Sequence, residues 1–162
     1  MFAAADVHYG DAEVVAALVT FDAWTDATAA REIVARRPPD AAPYTPGAFY
    51  ERELPYLAAL VEQLAMPLDA LVIDGYVWLG PERAGLGKHA HDRLGIPIIG
   101  VAKTSFAGAT AIEVLRGASA QPLYVTAIGI DDALAADQIR GMHGPYRIPT
   151  LLKRADSLAR GG

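Results

Sequence analysis

The sequence predicts an α/β fold: a mixed sheet, with an antiparallel three-strand meander followed by parallel strands, flanked by helices. Three observations carry this. The first third alternates short runs of small and β-branched residues with turn formers. From about residue 49 the apolar spacing becomes helical. Beyond residue 70, short apolar runs alternate with helical stretches, the pattern of strand–helix units packed as layers.

The meander strands are predicted at Phe2–Tyr9, Glu13–Phe21 and Ala29–Arg37, with Gly10-Asp11 as the first hairpin turn. A proline-rich loop runs from Pro38 to Gly47. Leu54, Leu57, Leu60, Val61 and Leu64 then fall at helix spacing until Pro67 stops the run. Ala70–Asp74, Ile96–Val101 and Leu123–Ile130 read as buried strands, and Leu86–Leu94, Asp132–Arg140 and Thr150–Arg160 as helices. No repeat, low-complexity tract or linker interrupts the 162 residues, so one domain over 1–162 is expected.

Composition narrows the class. With 52% hydrophobic and 20% charged residues the chain can bury a core. No apolar run approaches the ~20 residues of a membrane span, and the start lacks a basic leader region. Cysteine is absent, which rules out disulfides and thiolate metal sites and fits a reducing, cytoplasmic setting. Nothing in the pattern specifies an oligomer, and a monomer is the expectation. The net charge of −5 argues against electrostatic coating of nucleic acid. The charge is uneven, however: residues 1–74 hold 4 Lys/Arg against 12 Asp/Glu, and residues 75–162 hold 10 against 7. A mildly basic second half still fits weak, transient tracking of one strand.

Four acids stand where chemistry is possible. Asp6 interrupts an apolar strand, Asp74 ends another, Glu53 opens the first helix and Asp156 lies in the last. If the first strand and the Ala70–Asp74 strand are neighbours, Asp6 and Asp74 emerge side by side. Two such carboxylates repel, and a divalent cation with a preference for hard oxygen ligands, Mg²⁺ or Mn²⁺, removes the conflict. A bland reading stands beside this one: an Asp before Gly is commonly a turn residue, and acids near helix starts are commonly caps. Asp6 fits the bland reading least, because a charge inside an apolar strand needs compensation. Lys103, at a strand end, suits a phosphate or carboxylate partner and equally well an ordinary solvated lysine. His89 and His91 are two apart on a helix and make a poor metal pair, so a surface role is expected.

Beginning at PYTPGAFYERELPYL (Pro43–Leu57), the chain resembles the endonuclease V family, whose Pro-Tyr-x-Pro-Gly loop is followed by an Arg-Glu pair and a Pro-x-Leu helix start. The likeness continues, in order, through ADVHY, LVIDG, AGLGKH, IPIIGVAK, QPLYVTA and YRIPTLLKRAD. The resemblance implies a ribonuclease H-like fold and Mg²⁺- or Mn²⁺-dependent hydrolysis of the second phosphodiester 3′ of deoxyinosine in DNA, or of inosine in RNA. Its partner would be DNA or RNA containing inosine, in DNA repair or RNA processing. By matching positions it makes Asp6, Glu53, Asp74 and Asp156 the metal shell and puts Lys103 near the scissile phosphate. Tyr44 matches a wedge filling the gap left by an extruded base, and Gly47, Phe49, Gly75, Gly85 and Ala102 match positions near the flipped-base pocket. Flipping costs a few kcal/mol, least at a mispaired base, so a wedge and a snug pocket belong together.

The chain also departs from the family. In DGYVWLGPER, Val77, Gly80 and Glu82 replace a glycine, the pocket histidine and an arginine. The family's helix before the first strand is not seen, and the stretch between Lys103 and Leu115 is shortened. The acids are kept while the lesion-reading pocket is changed, so nuclease chemistry is better supported than inosine specificity. Two rival readings follow: a nucleic-acid-binding relative that no longer cleaves, and a small-molecule phosphohydrolase using the same acids.

Overall fold

The computed structural model describes residues 1–39 and 49–162, side chains at 49–51 excepted. Strands β1 (Phe2–Tyr9), β2 (Val14–Phe21) and β3 (Arg31–Arg37) form the expected antiparallel meander. Helix α1 (Phe49–Leu64) leads to β4 (Ala70–Asp74), which lies parallel to β1. A small hairpin, β5 (Trp78–Gly80) and β6 (Arg83–Ala84), precedes α2 (Leu86–Leu94) and β7 (Ile98–Ala102), which runs parallel to β4. Strands β8 (Ile112–Val114) and β9 (Leu123–Ile128) follow, and α3 (Asp132–Arg140) and α4 (Thr150–Ala159) close the described chain. The seven-stranded order is β3-β2-β1-β4-β7-β9-β8.

Local chemistry explains the boundaries. Ala65 adopts φ 55° and closes α1, two residues before Pro67. Gly95, at φ 70°, ends α2 and returns its N–H to the His91 carbonyl. Asp131 caps α3 by accepting a hydrogen bond from the Leu134 N–H at 3.0 Å. The short hairpin β5–β6 and strand β8 are not anticipated by the sequence pattern, and β9 pairs antiparallel to β7 rather than continuing the parallel run.

Strand alternation divides the core into two layers. Ala3, Ala5, Leu18, Leu71 and Ile73 pack against Leu57, Leu60 and Leu64 of α1 and Leu86 and Ala90 of α2. Ala4, Val19, Val72, Val101 and Val125 pack against Ala135 and Ile139 of α3 and Leu151 and Ala155 of α4. With helices on both faces, the middle of the sheet is largely apolar; all eight residues of β2 are buried. Among the described residues, no helix is long and apolar enough to cross a membrane.

Candidate active site

The register sets the first two acids together. The last pair between β1 and β4 is Ala5 with Ile73, and Asp6 and Asp74 each follow by one residue. Both share the face of Ala4 and Val72, which is the α4 side, so Asp6 meets Asp156 there. Asp6, Asp74, Lys103 and Asp156 line one small cavity. Glu53 arrives from the opposite layer: it precedes buried Leu57 by four residues on α1 and shares its face. Asp6, Glu53, Asp74 and Lys103 together line a second cavity of ≈ 570 Å³. The structure therefore brings the five residues expected to carry chemistry to two cavities that share Asp6, Asp74 and Lys103, where the parallel β1–β4 ladder ends, a usual place for ligands in open sheets.

The electrostatics are strained by this convergence. Burial, then the Asp74 charge, then the hydrogen bond with Asp156 push the Asp6 carboxyl up to about 7, against a single lowering contact from the Val7 N–H at 3.0 Å. Burial, then the charges of Asp6 and Asp74, push Glu53 up to about 8. Asp156 behaves oppositely. Burial raises it, but hydrogen bonds from Arg160, Asp6 and Lys153 together outweigh burial and bring it down to about 2. Arg160 Nε stands 2.8 Å from its Oδ1 and Lys153 Nζ 3.2 Å from its Oδ2. Lys103 Nζ lies 3.5 Å from Asp74 Oδ2, and both side chains are nearly half exposed.

This donor set suits a divalent cation. It offers carboxylate oxygens only, and burial first, with neighbouring carboxylate charges second, raises two of its acids, a cost that a bound cation offsets. Among the described residues, no three His, Cys, Asp or Glu side chains are already gathered to ion-holding distance. The acids line a groove rather than close a shell.

Of the residues expected near a base, Gly75, Gly85 and Ala102 line the larger cavity. Gly75 takes φ 135°, which lets the chain leave β4 and turn across the sheet. Its loop then passes so close to Gly100 on β7 that a Cβ there would stand 2.5 Å from the Gly75 carbonyl oxygen. Thr126 Oγ1 accepts a buried hydrogen bond from the Val77 N–H at 2.9 Å and holds that crossing. Gly80 does not line the cavity; its neighbour Leu79 does. Its φ is not left-handed, and a Cβ would meet the Gly108 carbonyl at 3.7 Å and Arg83 Cβ at 3.8 Å, ordinary contacts. Tyr44 and Gly47 lie outside the described residues, and Phe49 begins α1. His91 Nδ1 is 2.8 Å from the Ile96 carbonyl, so that ring caps a turn on α2's flank, in line with a role away from the acids.

The cavity also contains residues that the sequence reading does not single out. Tyr76, Leu79, Arg83 and Phe106 form its wall. Tyr76 is pinned by its hydroxyl, which donates to the Thr104 carbonyl at 2.6 Å, and its ring lies 6.1 Å from that of Phe106. The Arg83 guanidinium sits 5.6 Å over the Phe106 ring. For Arg83 a signal existed, since it keeps the final arginine of the family's pattern in DGYVWLGPER. No spacing marks Tyr76, Leu79 or Phe106.

Comparison with known proteins identifies the family. The sequence model of the endonuclease V family matches residues 1–131. The chain is 35% identical to endonuclease V of Streptomyces avermitilis over 185 aligned positions, spanning 96% of this chain and 77% of that protein. It is 42% identical over 106 residues to endonuclease V of Geotalea uraniireducens, covering 65% of this chain and 44% of that one. The crystal structure of the Streptomyces avermitilis enzyme superposes with a TM-score of 0.75 at 32% identity, covering 99% of this chain and 79% of that chain. Ciona intestinalis endonuclease V, solved with a 24mer DNA containing an inosine followed by a ribo-adenosine, gives a TM-score of 0.83 over 99% of this chain and 84% of that one. Its 17% identity speaks for the fold, which is ribonuclease H-like. By sequence match over most of its length, and by fold, the chain belongs to the endonuclease V family of nucleases.

Proposed function

We propose that this protein is a Mg²⁺- or Mn²⁺-dependent endonuclease, one domain across residues 1–162, that hydrolyses a phosphodiester beside deaminated adenine in DNA or RNA in the cytoplasm. The observation that carries the reading is the convergence of Asp6, Glu53 and Asp74 on a cavity of ≈ 570 Å³, with Asp156 joining Asp6 and Asp74 in the small cavity beside it. That volume falls within the ~300–1,000 Å³ range of small-molecule pockets, suited to an extruded nucleoside. The four acids would hold the cation; Asp74, half exposed, keeps the site open to exchange.

When bound, a divalent cation supplies positive charge to the phosphodiester's transition state and makes water a stronger nucleophile at neutral pH. The protein's own groups do the rest. Lys103 holds an ammonium group at the groove, where a phosphate oxygen can replace Asp74 as its partner. Arg160 and Lys153 keep Asp156 ionised and fixed on α4. Asp6 and Glu53, raised by burial and neighbouring charge to about 7 and 8, would hold a cation as carboxylates, so binding one would release protons near neutral pH. Tyr76, Leu79 and Phe106 wall the cavity with aromatic and apolar surface against which a base can lie.

The deciding experiment incubates the protein with inosine-containing and undamaged DNA and RNA, single- and double-stranded, with Mg²⁺, Mn²⁺ or EDTA. Metal-dependent nicking one bond beyond inosine is expected. Binding without nicking under every metal condition would favour a relative that has lost cleavage, and phosphate release from nucleotides alone would favour a phosphohydrolase.

A further inference from the structure

Two arginines outside the acid cluster bind the chain to itself in a way that reaches the site. Arg116, just beyond β8, is 6% exposed, and among the described residues no carboxylate pairs with it. Its guanidinium donates instead to five backbone carbonyls, those of Arg140, Met142, Gly144, Tyr146 and Arg147. These lie at the end of α3 and in the irregular segment 141–149 before α4, where carbonyls lack ladder partners. The two segments touch closely: a Cβ on Gly117 would stand 2.3 Å from the Pro145 carbonyl oxygen.

From that segment Arg147 sends Nη2 to the carbonyls of Lys103 and, at 2.7 Å, Pro122. The last ladder pair between β7 and β9 is Ala102 with Tyr124, so Lys103 is the first residue past the sheet's own bonding. Arg147 supplies the anchor that the ladder no longer gives. Its Nε is buried with no hydrogen-bond partner among the described residues, so the guanidinium is held through Nη2.

We propose that Arg147 is a positioning residue for Lys103, and that Arg116 is the buried template that fixes the segment from which Arg147 reaches. The chain of contacts is continuous: Arg116 Nη1 to the Arg147 carbonyl at 3.2 Å, Arg147 Nη2 to the Lys103 carbonyl, and Lys103 Nζ to Asp74 at 3.5 Å. The same segment leads into α4 and Asp156, so one loop braces both flanks of the acid groove. The inference rests on the reading of Lys103 as the group facing substrate phosphate.

The test combines kinetics with hydrogen exchange on the full chain. On the substrate that the wild type cuts best, Arg147→Met is expected to lower kcat about tenfold or more with little change in KM, and Arg147→Lys to recover part of the loss. In a Lys103→Ala background the further loss from Arg147→Met should shrink to under about twofold, because both act through one ammonium. Independently of turnover, amide protection at 103–104 should fall in Arg147→Met while β1 and β4 keep theirs. Arg116→Lys, with fewer donors, should loosen 141–149 and 103–104 together. Fully additive kinetic losses, unchanged exchange at 103–104 in Arg147→Met, or a loosened 141–149 with 103–104 intact would each overturn the proposal. If the wild type cuts nothing, the proposed activity fails, and the exchange data still judge the anchor.

Discussion

A carboxyl group inside an apolar strand costs free energy unless its charge is met, and Asp6 is held up to about 7 by burial and by Asp74. Asp74 is the more exposed partner and the one that Lys103 contacts. Asp74→Asn is therefore expected to leave the fold intact and reduce cleavage at least about a hundredfold, since a cation site loses charge and ligand together. Retention of a tenth of wild-type turnover in Mg²⁺ would sink the assignment. Gly80 poses a second question at this scale. The cavity wall beside it is Leu79 and Phe106, and the Tyr76 hydroxyl is already committed to the Thr104 carbonyl. A site poor in groups left unpaired by the wrong base discriminates weakly, so a modest preference for inosine over adenine is expected of the wild type. The backbone at 80 accepts a side chain, and Gly80→His should raise that preference. Cleavage rates on matched inosine and adenine substrates decide; a folded variant with an unchanged ratio would refute the pocket argument.

Among the elements, the crossing of the Gly75–Val77 loop over β7 is a tight contact that shapes the cavity. Gly100→Ala places a methyl 2.5 Å from the Gly75 carbonyl and 2.8 Å from Thr126 Oγ1, so backbone must move. A loss of about 1–3 kcal/mol in stability is expected, read as a lower denaturant midpoint, together with weaker substrate binding as the loop lifts. An unchanged midpoint would show that the crossing is slack. The elements also show what could be read in advance. The meander was legible because β1, β2 and β3 are seven or eight residues long and parted by turn chemistry. β5, β6 and β8 run for three, two and three residues, too short for any period to show. The direction of β9 was hidden because an apolar run does not say which way it pairs. Likewise Asp6 announced itself by being out of place, whereas Phe106, Tyr76 and Leu79 look like any core residues until the chain brings them to one cavity. Arg116 and Arg147 had no sequence mark at all, because carbonyl acceptors are the same at every position.

At the scale of the whole molecule, the acid groove sets a stability that depends on pH in the direction opposite to that of most carboxylates. Asp6 and Glu53 are raised from 3.8 and 4.5 to about 7 and 8, so the folded chain keeps protons that the unfolded chain gives up. The stability from this retention is complete below about pH 4 and is lost as pH climbs through 7 and 8. Asp156, lowered to about 2, works the other way: its contribution is present above pH 4 and fades only as pH falls through 2. In EDTA the melting temperature should therefore be highest near pH 4–5 and decline by several degrees toward pH 8. A divalent cation binds the ionised acids of the folded chain alone, so millimolar Mg²⁺ or Mn²⁺ should restore the loss at pH 8 and do little at pH 5. Asp6→Asn and Glu53→Gln remove the conflict at its source; each should flatten the EDTA profile and shrink the rise on adding cation. Thermal unfolding followed from pH 4 to 8, with and without cation, makes the comparison. A melting temperature in EDTA that stays level or rises over that range would mean that the acids are not crowded in solution, and the case for a shared cation would fall with it.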